Sequence, residues 1–378
     1  MSYDVIVVGL GAMGSATAYQ AARRGARVLG LEAFTPAHEL GSSGGQTRII
    51  RLAYFEHPAY VPLLRAAWEM WPRIAEEADR ELMLVTGGLY AGRRGSAVLE
   101  GALASAQQHG LAHEMLGAQE TRERFPALTV DDDMQTLHEP LAGILFAQRC
   151  IAAHLELAAR HGAELRFEER VTGWQADGDG IRVTTNLGSY TGAKLVVAAG
   201  AWLPELAPEL KLPLTVERNV NFWFEPVASP ELLSPARLPV WIVELDDEHA
   251  FYGFPMLPAE AGLGEGAKVS RHHGGTSVDP HAVDREARPE DEAPVRDFIK
   301  QYLPLANGPR LDARVCMYTN TPDFNFVLDF HPADSRVVIA SPCSGHGFKF
   351  SNVIGRVCAD LALDGQTSFD IDFLSIRR

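Results

Sequence analysis

Few residue types in this chain could do chemistry, and they fall in short clusters. Cys316 lies in Arg314-Val315-Cys316-Met317-Tyr318-Thr319, well away from Cys150, Cys343 and Cys358. A lone thiol is either inert core or, as a thiolate, a nucleophile and attachment point. Thr47-Arg48-Ile49-Ile50-Arg51 carries two guanidiniums behind the loop Gly41-Ser42-Ser43-Gly44-Gly45-Gln46. If the segment were helical, that spacing would bring both to one face. Ile49 and Ile50 between them argue for partial burial, where each charge needs a partner such as a carboxylate or a cofactor edge. Ser344-Gly345-His346-Gly347-Phe348-Lys349 reads as a glycine-rich turn opening a helix. Its N–H groups suit developing negative charge, and Lys349 suits a substrate carboxylate. His346 reads first as a loop hydrogen-bonding residue. Cys343 and His346 lack an orienting acid and make a poor nucleophilic pair. His272-His273 has no second ligand cluster, so no metal site is expected.

These clusters need elements to position them. Asp4 to Val8 is a β-branched apolar run that leads into Gly9-Leu10-Gly11-Ala12-Met13-Gly14. An Ala-rich helix from Ser15 to Arg24 follows, stopped by Gly25, and then a strand from Ala26 to Leu31 that ends at Glu32. This is a βαβ unit with a dinucleotide fingerprint. Gly9 makes the tight turn, Gly11 admits the pyrophosphate, and Gly14 lets helix and strand pack. Glu32 is placed to accept hydrogen bonds from the adenosine ribose. A later buried strand, Lys194 to Ala199, ends in a second glycine turn at Gly200. Two-part flavin domains close in this way, so the pattern favours FAD over NAD.

Further helices are expected at 61–78, 97–109, 118–125, 150–161, 290–302 and 345–363, with strands at 164–167, 169–174 and 337–341. From about Asn219 short alternating strands between Pro- and Asp-rich turns (220–224, 240–245, 251–254) suggest an antiparallel sheet inserted into the nucleotide domain. The expected cofactor-side segments are 1–84, 141–217 and 322–378; the expected substrate-side segments are 85–140 and 218–321.

At 378 residues the chain suggests about two domains. The balance of 34 basic and 49 acidic residues, a net of −15, argues against nucleic acid, whose phosphates demand Lys and Arg. No apolar run approaches a membrane span, and the start lacks a basic leader followed by a signal-like stretch. The C-terminal Ser375-Ile376-Arg377-Arg378 is not a peroxisomal address. A cytoplasmic location is expected.

Together these residues resemble the monomeric sarcosine oxidase and N-methyltryptophan oxidase family of flavin amine oxidases, related to L-pipecolate oxidase. The likeness runs nearly the whole chain. It rests on the Gly9 to Gly14 turn, Thr47 to Arg51, Phe251-Tyr252-Gly253-Phe254-Pro255, Cys316 to Thr319 and Ser344 to Lys349. The resemblance implies an α/β plus antiparallel β fold of two domains, with a discontinuous Rossmann-type FAD domain. It implies FAD held covalently through Cys316, with Gly9, Gly11, Gly14, Glu32, Thr47, Arg48, Gly200, Gly345, Gly347 and Lys349 at the cofactor. It implies hydride transfer from a secondary amino acid and reoxidation by O2 to H2O2, in a monomer. By the same resemblance Arg51 and Lys349 clamp the substrate carboxylate, and Arg48 packs on the flavin. Lys268 sits over flavin N5, and Tyr252, His272 and Tyr318 line the substrate site.

The family's sarcosine-type members carry histidines just before Thr-Arg; this chain has Ser43-Gly44-Gly45-Gln46. The added room points to a substrate bulkier than sarcosine. Two other classes stay open on the sequence: a dehydrogenase that hands electrons to a partner protein, and a non-catalytic flavoprotein.

Overall fold

The computed structural model describes residues 2–258, 266–341 and 344–378. Cys343, one half of the pair weighed above, lies outside the described residues.

The Tyr3–Val8 strand is apolar on both faces because both faces are covered. It lies between parallel neighbours Val28–Leu31 and Ser189–Val197, with Glu164–Arg166 and Asp334–Ala340 parallel beyond them. Val5 and Val7 pack under the helices Ala12–Ala22, Ala147–Arg160 and Ser351–Asp364. Ile6 and Val8 face the other way, toward Ile181, Val183 and Leu203. A run without alternation is therefore what this position requires. An antiparallel meander, Val171–Asp177 and Gly180–Thr185, extends the same sheet. Helix Ala12–Ala22 is buried along its whole length. It approaches the C-terminal helix so closely that a Cβ on Gly355 would stand 2.5 Å from Ala16.

A second large sheet draws on Gly88–Arg93, Glu114–Gly117, Met134–Glu139, Thr215–Phe224, Val240–Asp246, His249–Phe254, Ala267–His272, Thr276–Ser277 and Arg310–Asn320. It is antiparallel except where Val240–Asp246 runs parallel to Gly88–Arg93. Strand alternation sorts its residues cleanly. Phe222, Trp241, Phe251 and Val269 pack under helix Pro289–Tyr302, with the Phe251 and Phe298 rings 4.5 Å apart. The intervening residues Asn221, Ile242, Tyr252, Ser270 and Cys316 face the opposite way, as their cross-strand register shows.

A small sheet of Thr47–Arg51, Met83–Val85 and Ala142–Phe146 joins the two. Thr47–Arg51 is thus a strand, not a helix, and the two arginines point to opposite sides. The expected C-terminal helix also begins later, at Ser351 after a short 3-10 turn at Phe348–Phe350. Positive φ at Ser344 (41°) and Gly345 (77°) keeps the preceding turn out of helical conformation. The strand expected at 169–174 is shifted to Val171–Asp177, and the helix expected from Cys150 begins at Ala147. Among the described residues no helix is long and apolar enough to cross a membrane.

Candidate active site

The larger cavity opens where the fingerprint turn meets the first helix. Gly9 has φ +84°, and a Cβ there would lie 2.5 Å from the Ala198 carbonyl oxygen. A Cβ on Gly14 would lie 1.7 Å from the Gly9 oxygen, so this turn closes only with glycine. At Gly11 a Cβ would meet nothing nearer than Ser43 Oγ at 3.6 Å, and the residue lines the cavity. At the helix start Ser43 Oγ accepts from Ala12 N at 3.4 Å, and Gly11, Ala12 and Met13 line the cavity. Glu32 ends the second strand beside them. Its carboxylate accepts from Leu10 N at 2.7 Å and Phe34 N at 3.1 Å.

Phe34, Trp202, Gly200, Gly345, Gly347 and Phe348 continue the wall. The enclosed space, open mouth included, is about 1360 Å³. Its lining joins the fingerprint turn, Glu32, Trp202 and the turn before Phe348, the set of elements a dinucleotide would span. A helix start on the cavity, a cradle that only glycine leaves open and a carboxylate at the end of the second strand together fit FAD.

A smaller cavity of about 530 Å³, mouth included, adjoins the first at Arg48, Tyr318, Gly345 and Phe348. Its wall carries Arg51, Glu56 and Lys349 among Phe55, Tyr252, Phe254 and His272. Arg51 is 2 % exposed and donates from Nη2 to both Glu56 oxygens at 2.6 Å. Its guanidinium also lies 4.1 Å from the Phe55 ring centre and 4.3 Å from that of Tyr54. Burial opposes charge on both partners. At Glu56 burial is overcome only by Arg51, His346 and Lys349 together, which hold that carboxyl down to about 2. Burial pushes the Lys349 ammonium down to about 7, and Arg51 adds to the push. Lys349 Nζ donates to the His346 carbonyl oxygen at 2.8 Å.

His346 itself is structural. Its Nε2 meets the Phe324 carbonyl oxygen at 2.8 Å, so Nε2 carries the proton and Nδ1 accepts from the Tyr54 hydroxyl. Burial pushes it down to about 4 and keeps it neutral. Burial likewise pushes His272 far below the ordinary histidine value, with His273 adding to the shift.

The predicted residues thus fall in three places. Gly9, Gly11, Glu32, Gly200, Gly345 and Gly347 line the larger cavity, with Gly14 packed beneath its turn. Arg51, Tyr252, His272 and Lys349 line the smaller one, while Arg48 and Tyr318 line both. Thr47, Lys268 and Cys316 stand behind these walls. Lys268 Nζ donates to Gly45 O at 2.6 Å, Thr47 O at 3.1 Å and Thr47 Oγ1 at 3.2 Å. Burial and Arg48 push it well below the usual lysine value. Arg48 is turned to the carbonyl oxygens of Ser42, Gly44 and Thr47. Cys316 is buried, and its sulfur accepts from Asn221 Nδ2 at 3.3 Å.

Sequence reasoning missed Glu56, Asn221 and Glu139. Glu139 Oε1 accepts from Leu52 N at 2.6 Å and Ala53 N at 3.0 Å, while Oε2 takes the Tyr90 hydroxyl at 2.7 Å. It thereby pins the backbone just after Arg51, and burial pushes it up to about 6. Glu56 had a findable signal, since a buried arginine needs a carboxylate and Glu56 is the first acid after Arg51. Asn221 and Glu139 had none, because strand pairing brings them in.

Comparison with known proteins agrees with this geometry. Residues 4–361 match the family model described as FAD dependent oxidoreductase. A monomeric sarcosine oxidase of Streptomyces avermitilis is 44% identical over 378 residues, covering 100% of this chain and 98% of the relative. An N-methyl-L-tryptophan oxidase of Yersinia pestis is 34% identical over 383 residues, covering 100% of both. Among solved structures, NikD, an unusual amino acid oxidase essential for nikkomycin biosynthesis, superposes with a TM-score of 0.85 at 28% identity. That match covers 99% of this chain and 97% of NikD. From the fingerprint turn to the C-terminal helix, this chain belongs to the FAD dependent oxidoreductase family.

Proposed function

We propose that the chain oxidises secondary amino acids, N-methyl or cyclic, with O2 as acceptor and H2O2 as product. The observation that carries this reading is the meeting of two cavities, one lined by the dinucleotide turn and Glu32 and one with buried Arg51 and Lys349 in aromatic walls. The relatives' names, sarcosine oxidase and N-methyl-L-tryptophan oxidase, support the substrate class. Bound FAD would supply the chemistry, taking a hydride from the carbon next to nitrogen and returning electrons to O2.

The chain's own residues bind and orient. Arg51 and Lys349 take the substrate carboxylate, and Glu56 yields its place on Arg51 as that carboxylate arrives. The faces of Tyr252, Tyr318 and Phe55 suit an amine with cationic character. His272, neutral at physiological pH, adds no repulsion there. Lys268 brings a titratable cation behind the Arg48 loop, where positive charge favours electron transfer to O2. Cys316 serves as the covalent tether. Without histidines, Ser43-Gly44-Gly45-Gln46 leaves room for a substrate larger than sarcosine. Segments 1–84, 141–217 and 322–378 serve the cofactor, and 85–140 and 218–321 the substrate, in a cytoplasmic monomer.

Anaerobic mixing with a panel of N-methyl and cyclic amino acids tests the reading. We expect flavin bleaching by a subset and, in air, one H2O2 per substrate without added acceptor. Bleaching without peroxide would favour a dehydrogenase that needs a partner. No bleaching by any amine would sink the enzyme class.

A further inference from the structure

We propose that Asn221 is a positioning residue that aims the Cys316 sulfur for its attachment to the flavin. The inference rests on the tether role given above. Asn221 is 1 % exposed on the Thr215–Phe224 strand. Its Nδ2 donates to Cys316 Sγ at 3.3 Å. Its Oδ1 accepts from Ser270 Oγ at 2.8 Å and from the Tyr252 hydroxyl at 3.1 Å. In this arrangement two hydroxyls donate to the oxygen, and the N–H side is turned to the sulfur.

The sheet builds this arrangement. Asn221 pairs across strands with Ser270, Ser270 with Tyr252, and Asn219 with Cys316, which sets all of these side chains on one face. The loop before Thr47 closes over the amide. A Cβ on Gly45 would lie 3.1 Å from Asn221 Nδ2 and 3.3 Å from Arg48 Nη1, at φ +89°. Only glycine fits there comfortably, so Asn221 and Arg48 converge beneath Gly45 next to the sulfur. Tyr252, bonded to the same amide, lines the substrate cavity. One side chain thus joins the attachment thiol to the substrate wall.

In the attachment Cys316 gives up its proton, and its sulfur forms a bond to the flavin 8α methyl carbon. That carbon loses one proton, and the electron pair of its C–H bond passes to the ring system. O2 then removes the two electrons and leaves as H2O2. The balance is one thiol, one methyl group and one O2 in; one thioether and one H2O2 out. An amide N–H on the sulfur fixes its rotamer and complements the negative charge of the attacking atom.

The test uses the purified full-length protein. Its acid-stable flavin is measured as isolated and during incubation with FAD in air. Asn221→Leu should tether roughly ten- to hundredfold more slowly, the scale of one hydrogen bond to a charged group, while still binding FAD non-covalently. Asn221→Asp keeps the shape, guards against misfolding of the leucine variant, and sets a carboxylate against sulfur; it should be slower still. Ser270→Ala, which removes one of the amide's two anchors, should fall between wild type and Asn221→Leu. Wild-type tethering rates in both Asn221 variants would overturn the role of Asn221 alone. Wild-type protein whose flavin all stays in the acid supernatant would overturn the tether itself, and this inference with it.

Discussion

The two adjoining cavities are built by different means. At its fingerprint end the larger one is shaped by backbone: glycines that admit no Cβ, a helix start and a strand end, all within the first 32 residues. The smaller one is shaped by buried charges from distant segments, Arg51 and Glu56 on one side and Lys349 on the other, behind rings from the second sheet. Backbone geometry tolerates almost no substitution, because a Cβ cannot be accommodated where a carbonyl already stands. Charge networks can be retuned, because removing one member changes the protonation and partners of the rest.

That contrast can be broken most directly at Gly14. Gly14→Val would drive a side chain into the Gly9 carbonyl, whose oxygen already lies 1.7 Å from the Cβ position. We expect purified protein without flavin, or no soluble protein; flavin absorbance at wild-type stoichiometry would refute the backbone account.

A lesser effect is expected at Arg51. Arg51→Met strands Glu56 as a buried carboxylate without its partner, at a cost of about 3–5 kcal/mol. Glu56→Gln should be far milder in thermal unfolding and should tighten binding of simple carboxylates, since nothing then competes for Arg51. Equal destabilisation by both variants would show that the pair is not the unit we describe.

The smallest effect is a pH dependence. Lys349 sits at about 7 in the free protein, so it is charged below that pH and neutral above it. Affinity for a carboxylate ligand lacking an amine should be level below about pH 7. It should then weaken as pH rises, by up to roughly tenfold per unit. Isothermal titration of wild type and Lys349→Met measures it. The variant should bind more weakly with that slope removed, and a flat wild-type profile would exclude Lys349 as the ligand's cation.

Legibility in the sequence followed the same division. The fingerprint and Glu32 could be read because a βαβ unit is local, and each glycine has its own steric reason. Arg51 and Lys349 could be read as carboxylate-binding cations, and Glu56 was within reach as the first acid after Arg51, but Glu139 and Asn221 were not. Treating Thr47–Arg51 as a possible helix would have put Arg48 and Arg51 on one face. As a strand it turns Arg48 to the Gly41–Gln46 loop and Arg51 to Glu56. Propensity could not settle this, since Thr-Arg-Ile-Ile-Arg suits a strand only once Ala142–Phe146 is there to pair with it.

By itself the sequence determined which residue types could do chemistry, that a dinucleotide turn opens the chain, and that a thiol lies late in it. These are properties of single residues and short spans. Only the tertiary structure decided that Glu139 grips the backbone beside Arg51, and that Asn221 rather than a nearby residue in sequence meets the Cys316 sulfur. Each of these depends on strand register, and register is set by how two sheets bury their apolar faces, not by any local pattern.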